Sequence, residues 1–134
     1  MSTDLRADTT VLVADDDPQT LRVLVRILEA GGYGKVLSTT DSSAVLDICL
    51  ESQPGLVLLD LTMPAPNGFD LLESLREGAA GSVPTIVMIS GHEHPAFAKR
   101  ALEMGAKAML TKTTPRAEIL AELDVVIMAA ADGG

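Results

Sequence analysis

Rings are scarce in this chain of 134 residues, which holds two Phe, one Tyr and no Trp. Any core it builds must therefore be aliphatic, made of Leu, Val, Ile, Ala and Met. Cysteine is nearly absent, and a lone Cys49 cannot close an internal disulfide. It falls in an apolar helical pattern and is expected to be a buried structural thiol. Positive charge is also short: ten Lys and Arg against nineteen Asp and Glu leave a net charge of −9. Contacts to nucleic-acid phosphates need clustered Lys and Arg, so direct nucleic-acid binding is not expected. An acidic surface likewise repels an anionic membrane. No signal-like leader and no apolar run of membrane-spanning length is present, so a soluble cytoplasmic protein is expected.

What is present suits one domain. Apolar residues make up 47% of the chain, enough for one core at the usual domain size of about 100–150 residues. Residues 1–8 are polar and read as a flexible arm, 9–130 as the domain and 131–134 as a tail or linker. Val11–Ala14, Leu56–Leu59 and Ile86–Ile89 are continuous apolar runs of strand length, which suggests strands buried on both faces. Lys35–Ser38 and Lys107–Leu110 fit two weaker strands. Helical patterns cover about Pro18–Ala30, Ser42–Glu51, Gly68–Glu77, Pro95–Met104 and Pro115–Ala130. Asp17-Pro18 and Thr114-Pro115 each look like an N-cap followed by Pro at the first helical position. Gly31, Gly78 and Gly105 stand where helices should stop. Five βα units in a row imply a doubly wound α/β sheet with five helices on its two faces.

Ligands of such sheets bind beyond the carboxyl ends of the strands, near the reversal of strand order. Polar residues gather there. Asp15 and Asp16 follow the first strand, Asp60 ends the third, Ser90 ends the fourth and Lys112 lies just past the fifth. Carboxylates at close range repel one another unless a cation neutralises them. Hard oxygen ligands around a small hydrated site suit Mg²⁺. A plain solvated turn is the alternative for Asp15 and Asp16 alone, and Asp17 is placed to cap a helix. Asp60 weighs against that alternative, because an Asp closing a buried apolar strand is expensive unless paired or metal-bound. Phosphoryl transfer asks mainly for positioning and charge neutralisation. A nucleophilic carboxylate, a metal, a hydroxyl from Ser90 and an ammonium from Lys112 make a complete set for it.

At these residues the chain resembles the receiver domain family of two-component response regulators. The resemblance runs over about Thr9–Ala130. It is carried by Val11-Leu12-Val13-Ala14-Asp15-Asp16-Asp17-Pro18, by Leu56-Val57-Leu58-Leu59-Asp60-Leu61-Thr62-Met63-Pro64 with Asn67-Gly68, by Pro84-Thr85-Ile86-Val87-Met88-Ile89-Ser90-Gly91, and by Ala101-Leu102-Glu103-Met104-Gly105-Ala106 leading to Leu110-Thr111-Lys112. The resemblance implies a flavodoxin-like sheet of order 2-1-3-4-5. It implies that Asp60 is the phosphoacceptor, with Ser90 and Lys112 assisting. Mg²⁺ would be held by Asp16, Asp60 and the Thr62 backbone carbonyl, and by Asp15 mostly through water. The donor would be a sensor histidine kinase or a histidine phosphotransfer protein. No enzymatic activity is implied beyond self-catalysed phosphorylation and dephosphorylation.

Three positions depart from the family pattern. Lys112 is followed by Thr113 rather than Pro; a cis bond there costs ~2.5–4 kcal/mol, so a trans bond is expected. Met109 stands where an aromatic is usual, and Ser90 where Thr is commoner. Thr62 and His92 are placed to tune the phosphoryl lifetime, with a plain exposed loop histidine the alternative for His92, whereas His94 simply starts a helix. Phosphorylation would bias a two-state switch, read out on the face of the fourth helix, fifth strand and fifth helix. In the last helix Ile119, Leu123, Val126, Ile127 and Ala130 form an apolar stripe. Leu120, Val125 and Met128 fall outside it, and their exposure would suit a second copy or an output domain. An unphosphorylated interaction module, an aspartyl phosphohydrolase and a flavin binder are the rivals. The intact charge cluster, Thr62 in place of a second Asp, and the lack of a Gly-rich phosphate loop weigh against them in turn.

Overall fold

The computed structural model describes residues 3–132. The short apolar runs become five strands: β1 (Thr10–Ala14), β2 (Lys35–Thr39), β3 (Leu56–Asp60), β4 (Thr85–Ser90) and β5 (Ala108–Thr111). All neighbours pair in parallel, in the order β2-β1-β3-β4-β5. This is the expected doubly wound, flavodoxin-like topology. Helix α1 (Thr3–Ala7) precedes β1, and α2 (Pro18–Ala30), α3 (Val45–Ser52), α4 (Gly68–Arg76), α5 (Pro95–Glu103) and α6 (Arg116–Asp132) follow the strands in turn.

Alternation along the strands divides the core into two layers, because successive side chains leave opposite faces. Leu12, Val57, Leu59, Ile86 and Met88 pack with Val45 and Cys49 of α3, Leu71, Leu72 and Leu75 of α4, and Ala101 of α5. Val11, Val13, Leu56, Leu58, Val87 and Ile89 pack with Leu21, Leu24 and Leu28 of α2 and with Ile119, Leu123, Val126 and Ile127 of α6. Helices cover both faces, which is why the central strands read as unbroken apolar runs. Cys49 is buried as expected, and burial pushes its thiol up to about 11.

Several local expectations change. The stretch read as an arm contains a sixth helix, α1, which is tied down. Arg6 Nε and Nη2 donate to the two carboxylate oxygens of Asp124 at 2.7 and 2.6 Å, and Nη1 donates to the Gly31 carbonyl at 2.7 Å. The backbones meet closely here: a Cβ on Gly34 would stand 1.8 Å from the Ala7 carbonyl oxygen. Gly31 closes α2 in right-handed geometry, and Gly32 supplies the left-handed residue with φ 95°. Thr114 does not cap α6; its Oγ1 accepts from the Thr111 amide at 3.2 Å, and the Pro115 carbonyl accepts the first helical bond, from Ile119. Ala130 is exposed rather than part of the apolar stripe, while Leu120 packs against the second core layer. α6 runs on through Ala131 and Asp132. Of the residues expected to be arm and tail, Met1, Ser2, Gly133 and Gly134 lie outside the described residues.

Candidate functional site

From β1 the chain crosses to β2 on one side and later to β3 on the other. The crevice of the doubly wound sheet therefore opens above the carboxyl ends of β1 and β3. Asp15 leaves β1 there and Asp60 ends β3, and both are fully buried. Parallel register brings the next two strands alongside: Asp60 pairs with Ile89, and Ser90 with Thr111. Ser90 and Lys112 thus arrive at the same rim.

The structure brings the expected carboxylates together. One oxygen each from Asp15, Asp16 and Asp60 lies within 4.8 Å of the others, with Asp16 the exposed member. Lys112 Nζ stands 3.0 Å from Asp15 Oδ2 and 3.3 Å from Asp60 Oδ2. The Lys112–Thr113 bond is trans, as expected, and the ammonium still reaches both carboxylates. Asp15 Oδ1 accepts the Asp17 amide at 2.9 Å. Asp15 Oδ2 is buried and, despite the nearby ammonium, has no aligned hydrogen bond. Thr62 donates to Asp60 Oδ1 through its amide at 3.2 Å and its hydroxyl at 3.3 Å. Ser90 Oγ is turned to the His92 carbonyl, 3.0 Å away. Asp17 caps α2, its side chain accepting from the Gln19 amide and the Thr20 hydroxyl, and those bonds hold its pKa below the ordinary value.

Electrostatics show the crowding. Desolvation, then the neighbouring Asp60, raise the pKa of Asp16. Burial works against the Lys112 charge, yet Asp15 and Asp60 outweigh it and raise its pKa above the ordinary value. One ammonium does not neutralise three carboxylates. Together with the orphaned Asp15 Oδ2, this all-oxygen, acidic donor set fits a hard divalent cation such as Mg²⁺.

The loop past β3 is closed by a reciprocal cap at α4. Asn67 Oδ1 accepts from the Asp70 amide and Asp70 Oδ2 from the Asn67 amide, each at 2.9 Å. A Cβ on Gly68 would lie 2.8 Å from the Asp60 carbonyl oxygen, so glycine lets α4 start directly against the end of β3.

One grouping beside the site left no mark in the sequence. His92, His94, Phe97 and Phe69 form a chain of ring contacts, with centroids 4.6, 4.9 and 5.8 Å apart in succession. The Arg100 guanidinium sits 4.2 Å over Phe69. Phe69 comes from α4 and the others from the β4–α5 loop and α5, so spacing along the chain could not have found it.

Known proteins agree with the geometry. Residues 11–124 match the response regulator receiver domain. The chain is similar to the sensory/regulatory protein RpfC of Xanthomonas campestris pv. campestris, 36% identical over 112 residues, which are 82% of this chain and 15% of that protein. It is similar to the two-component response regulator PprB of Pseudomonas aeruginosa, 34% identical over 115 residues, 85% of this chain and 42% of that protein. Its fold is similar to the BeF3-activated N-terminal receiver domain of Klebsiella pneumoniae RstA, with TM-score 0.80 and 26% identity over 88% of this chain and 97% of that one. The chain belongs to the response regulator receiver domain family of two-component signalling. It spans less than half the length of these two curated relatives. Among the described residues no helix is long and apolar enough to cross a membrane.

Proposed function

We propose that the chain accepts a phosphoryl group on Asp60 from a phosphohistidine of a sensor histidine kinase or phosphotransfer protein, in the cytoplasm. The observation that carries this reading is the convergence of Asp15, Asp16, Asp60 and Lys112 at one rim of the sheet. Asp15, Asp16, Asp60 and the Thr62 carbonyl would hold Mg²⁺, which when bound offsets negative charge on the transferred oxygens.

The residues of the chain supply the rest. An Asp60 oxygen forms the new bond to phosphorus while the donor's phosphorus–nitrogen bond breaks and the imidazole leaves with the electron pair. The Thr62 amide and hydroxyl steady the other Asp60 oxygen. Lys112, already shared between Asp15 and Asp60, is placed to follow the charge as it moves onto the phosphoryl oxygens. Ser90 exchanges its bond to the His92 carbonyl for one to a phosphoryl oxygen. Hydrolysis of the product restores Asp60, with Thr62 and His92 governing how readily water arrives. No chemistry beyond this self-catalysed transfer and hydrolysis is assigned.

Ser90 and Lys112 root the last two βα units, so their movement reaches α5, β5 and α6. Val125 and Met128 of α6 are 64% and 42% exposed. That face is read as the output surface, for a second copy or an attached domain. The test is intact mass after treatment with acetyl phosphate and Mg²⁺. The wild-type chain gains one base-labile phosphoryl group, and Asp60→Asn gains none. Equal labelling of the two would overturn the assignment.

A further inference from the structure

Four of the five rings in this chain, counting its two His, two Phe and one Tyr, lie in the His92–His94–Phe97–Phe69 stack. So uneven a distribution of a scarce resource marks the segment it supports. That segment is the loop from Ser90 to His94, which links β4 to α5. Among the described residues its inner positions are held by a single hydrogen bond, from Ser90 Oγ to the His92 carbonyl at 3.0 Å. A Cβ on Gly91 would touch nothing within 4 Å, so the loop is not wedged in place there. His94 occupies the N-cap position of α5, yet its side chain makes no capping hydrogen bond. Its ring is instead packed between His92 and Phe97. Phe97 meets Phe69 edge to face at 79°, and Phe69 is buried in α4, one residue past the glycine that abuts Asp60.

We propose that this stack is a positioning element for Ser90: by fixing His92 it holds the carbonyl to which the Ser90 hydroxyl is bound at rest. The proposal rests on Asp60 being the phosphoacceptor. The resting hydroxyl donates to the His92 carbonyl, and the active one must donate to a phosphoryl oxygen. The two bonds are alternatives for one proton donor. The firmer the His92 carbonyl is held, the more the resting arrangement is favoured. Ser lacks the γ-methyl that restricts Thr at χ1, so the acceptor rather than the side chain's own rotamer preference sets where this hydroxyl points. Met109 provides no ring next to the hydroxyl. The rings come instead from α5 and α4, which cover the same face of the sheet as Met109, and Arg100 sits over Phe69.

The test compares phosphorylation rates with acetyl phosphate and Mg²⁺, followed by intact mass, with the His92 carbonyl ¹³C shift in the unphosphorylated chain. Phe97 is 41% exposed, so its truncation leaves the fold intact. Phe97→Ala is expected to move the His92 carbonyl signal and to speed phosphorylation roughly two- to tenfold, the weight of one neutral hydrogen bond. Phe97→Tyr, which keeps the ring, returns both to wild type. Leu102→Ala, an exposed residue on the same helix outside the stack, changes neither. A labelled wild type whose rate and His92 signal do not respond to Phe97→Ala overturns the positioning role alone. A wild type that takes no phosphoryl group overturns the phosphoacceptor reading, and the positioning role with it.

Discussion

The two ends of the sheet treat charge in opposite ways. Where the strands end, three carboxylates crowd together with one ammonium shared between two of them, and a buried Asp15 oxygen is left without an aligned hydrogen bond. Where the strands begin, Arg6 and Asp124 match each other in a two-pronged pair, and Arg6 also takes up the Gly31 carbonyl that closes α2. The same aliphatic slab supports both. Charges whose partners are already in place hold elements together; charges left in excess are arranged to receive something. This imbalance sets the rim apart more than any single residue does.

The contrast can be broken first at the matched end. Arg6→Ala removes one partner and leaves Asp124 part-buried and unpaired, which should cost roughly 2–3 kcal/mol in urea unfolding. No loss would show that α1 is not held by this pair. Next comes Tyr33, which lies close by. Burial, then the charge of Asp124, push its phenol up to about 12, with Arg6 pulling the other way. Below about pH 10 the phenol is neutral in both folded and unfolded chains. Above that the unfolded chain gives up the proton while the folded one keeps it, so this contribution to stability is lost as pH rises from about 10 to about 12. Because Tyr33 is the one tyrosine and Trp is absent, the tyrosinate absorbance reports it directly; a folded-state midpoint near the ordinary value would show the phenol open to water. The smallest effect is expected at the crowded end. Asp16→Asn relieves repulsion with Asp60 and should stabilise the metal-free protein, by less than about 1 kcal/mol given its exposure. The same change should remove most of the thermal stabilisation by Mg²⁺. Lower metal-free stability would mean that Asp16 is not part of a repulsive cluster.

The crowded end was legible in the sequence and the matched end was not. Asp15, Asp16, Asp60, Ser90 and Lys112 each sit at a strand end, and once strands are placed a parallel sheet must bring those ends to one rim. Their spacing therefore carried the geometry. Arg6 and Asp124 come from the first and last helices, and nothing in their local surroundings announces a pair. A short polar segment such as α1 has too few apolar residues to reveal itself by periodicity. The ring stack was missed for the same reason, since it joins α4, α5 and the loop between β4 and α5. Thr114 was misplaced because a Thr before Pro reads as a cap, although here its hydroxyl serves the Thr111 turn.

The placing of the rings also decides how this protein can be watched. With no tryptophan and its only tyrosine at the beginning of the sheet, intrinsic ultraviolet emission looks at the wrong pole and should stay dark to events at Asp60. The chain's two imidazoles, by contrast, meet at residues 92 and 94, just past Ser90. Their pair of proton resonances is a built-in, label-free reporter on the one loop that most needs observing.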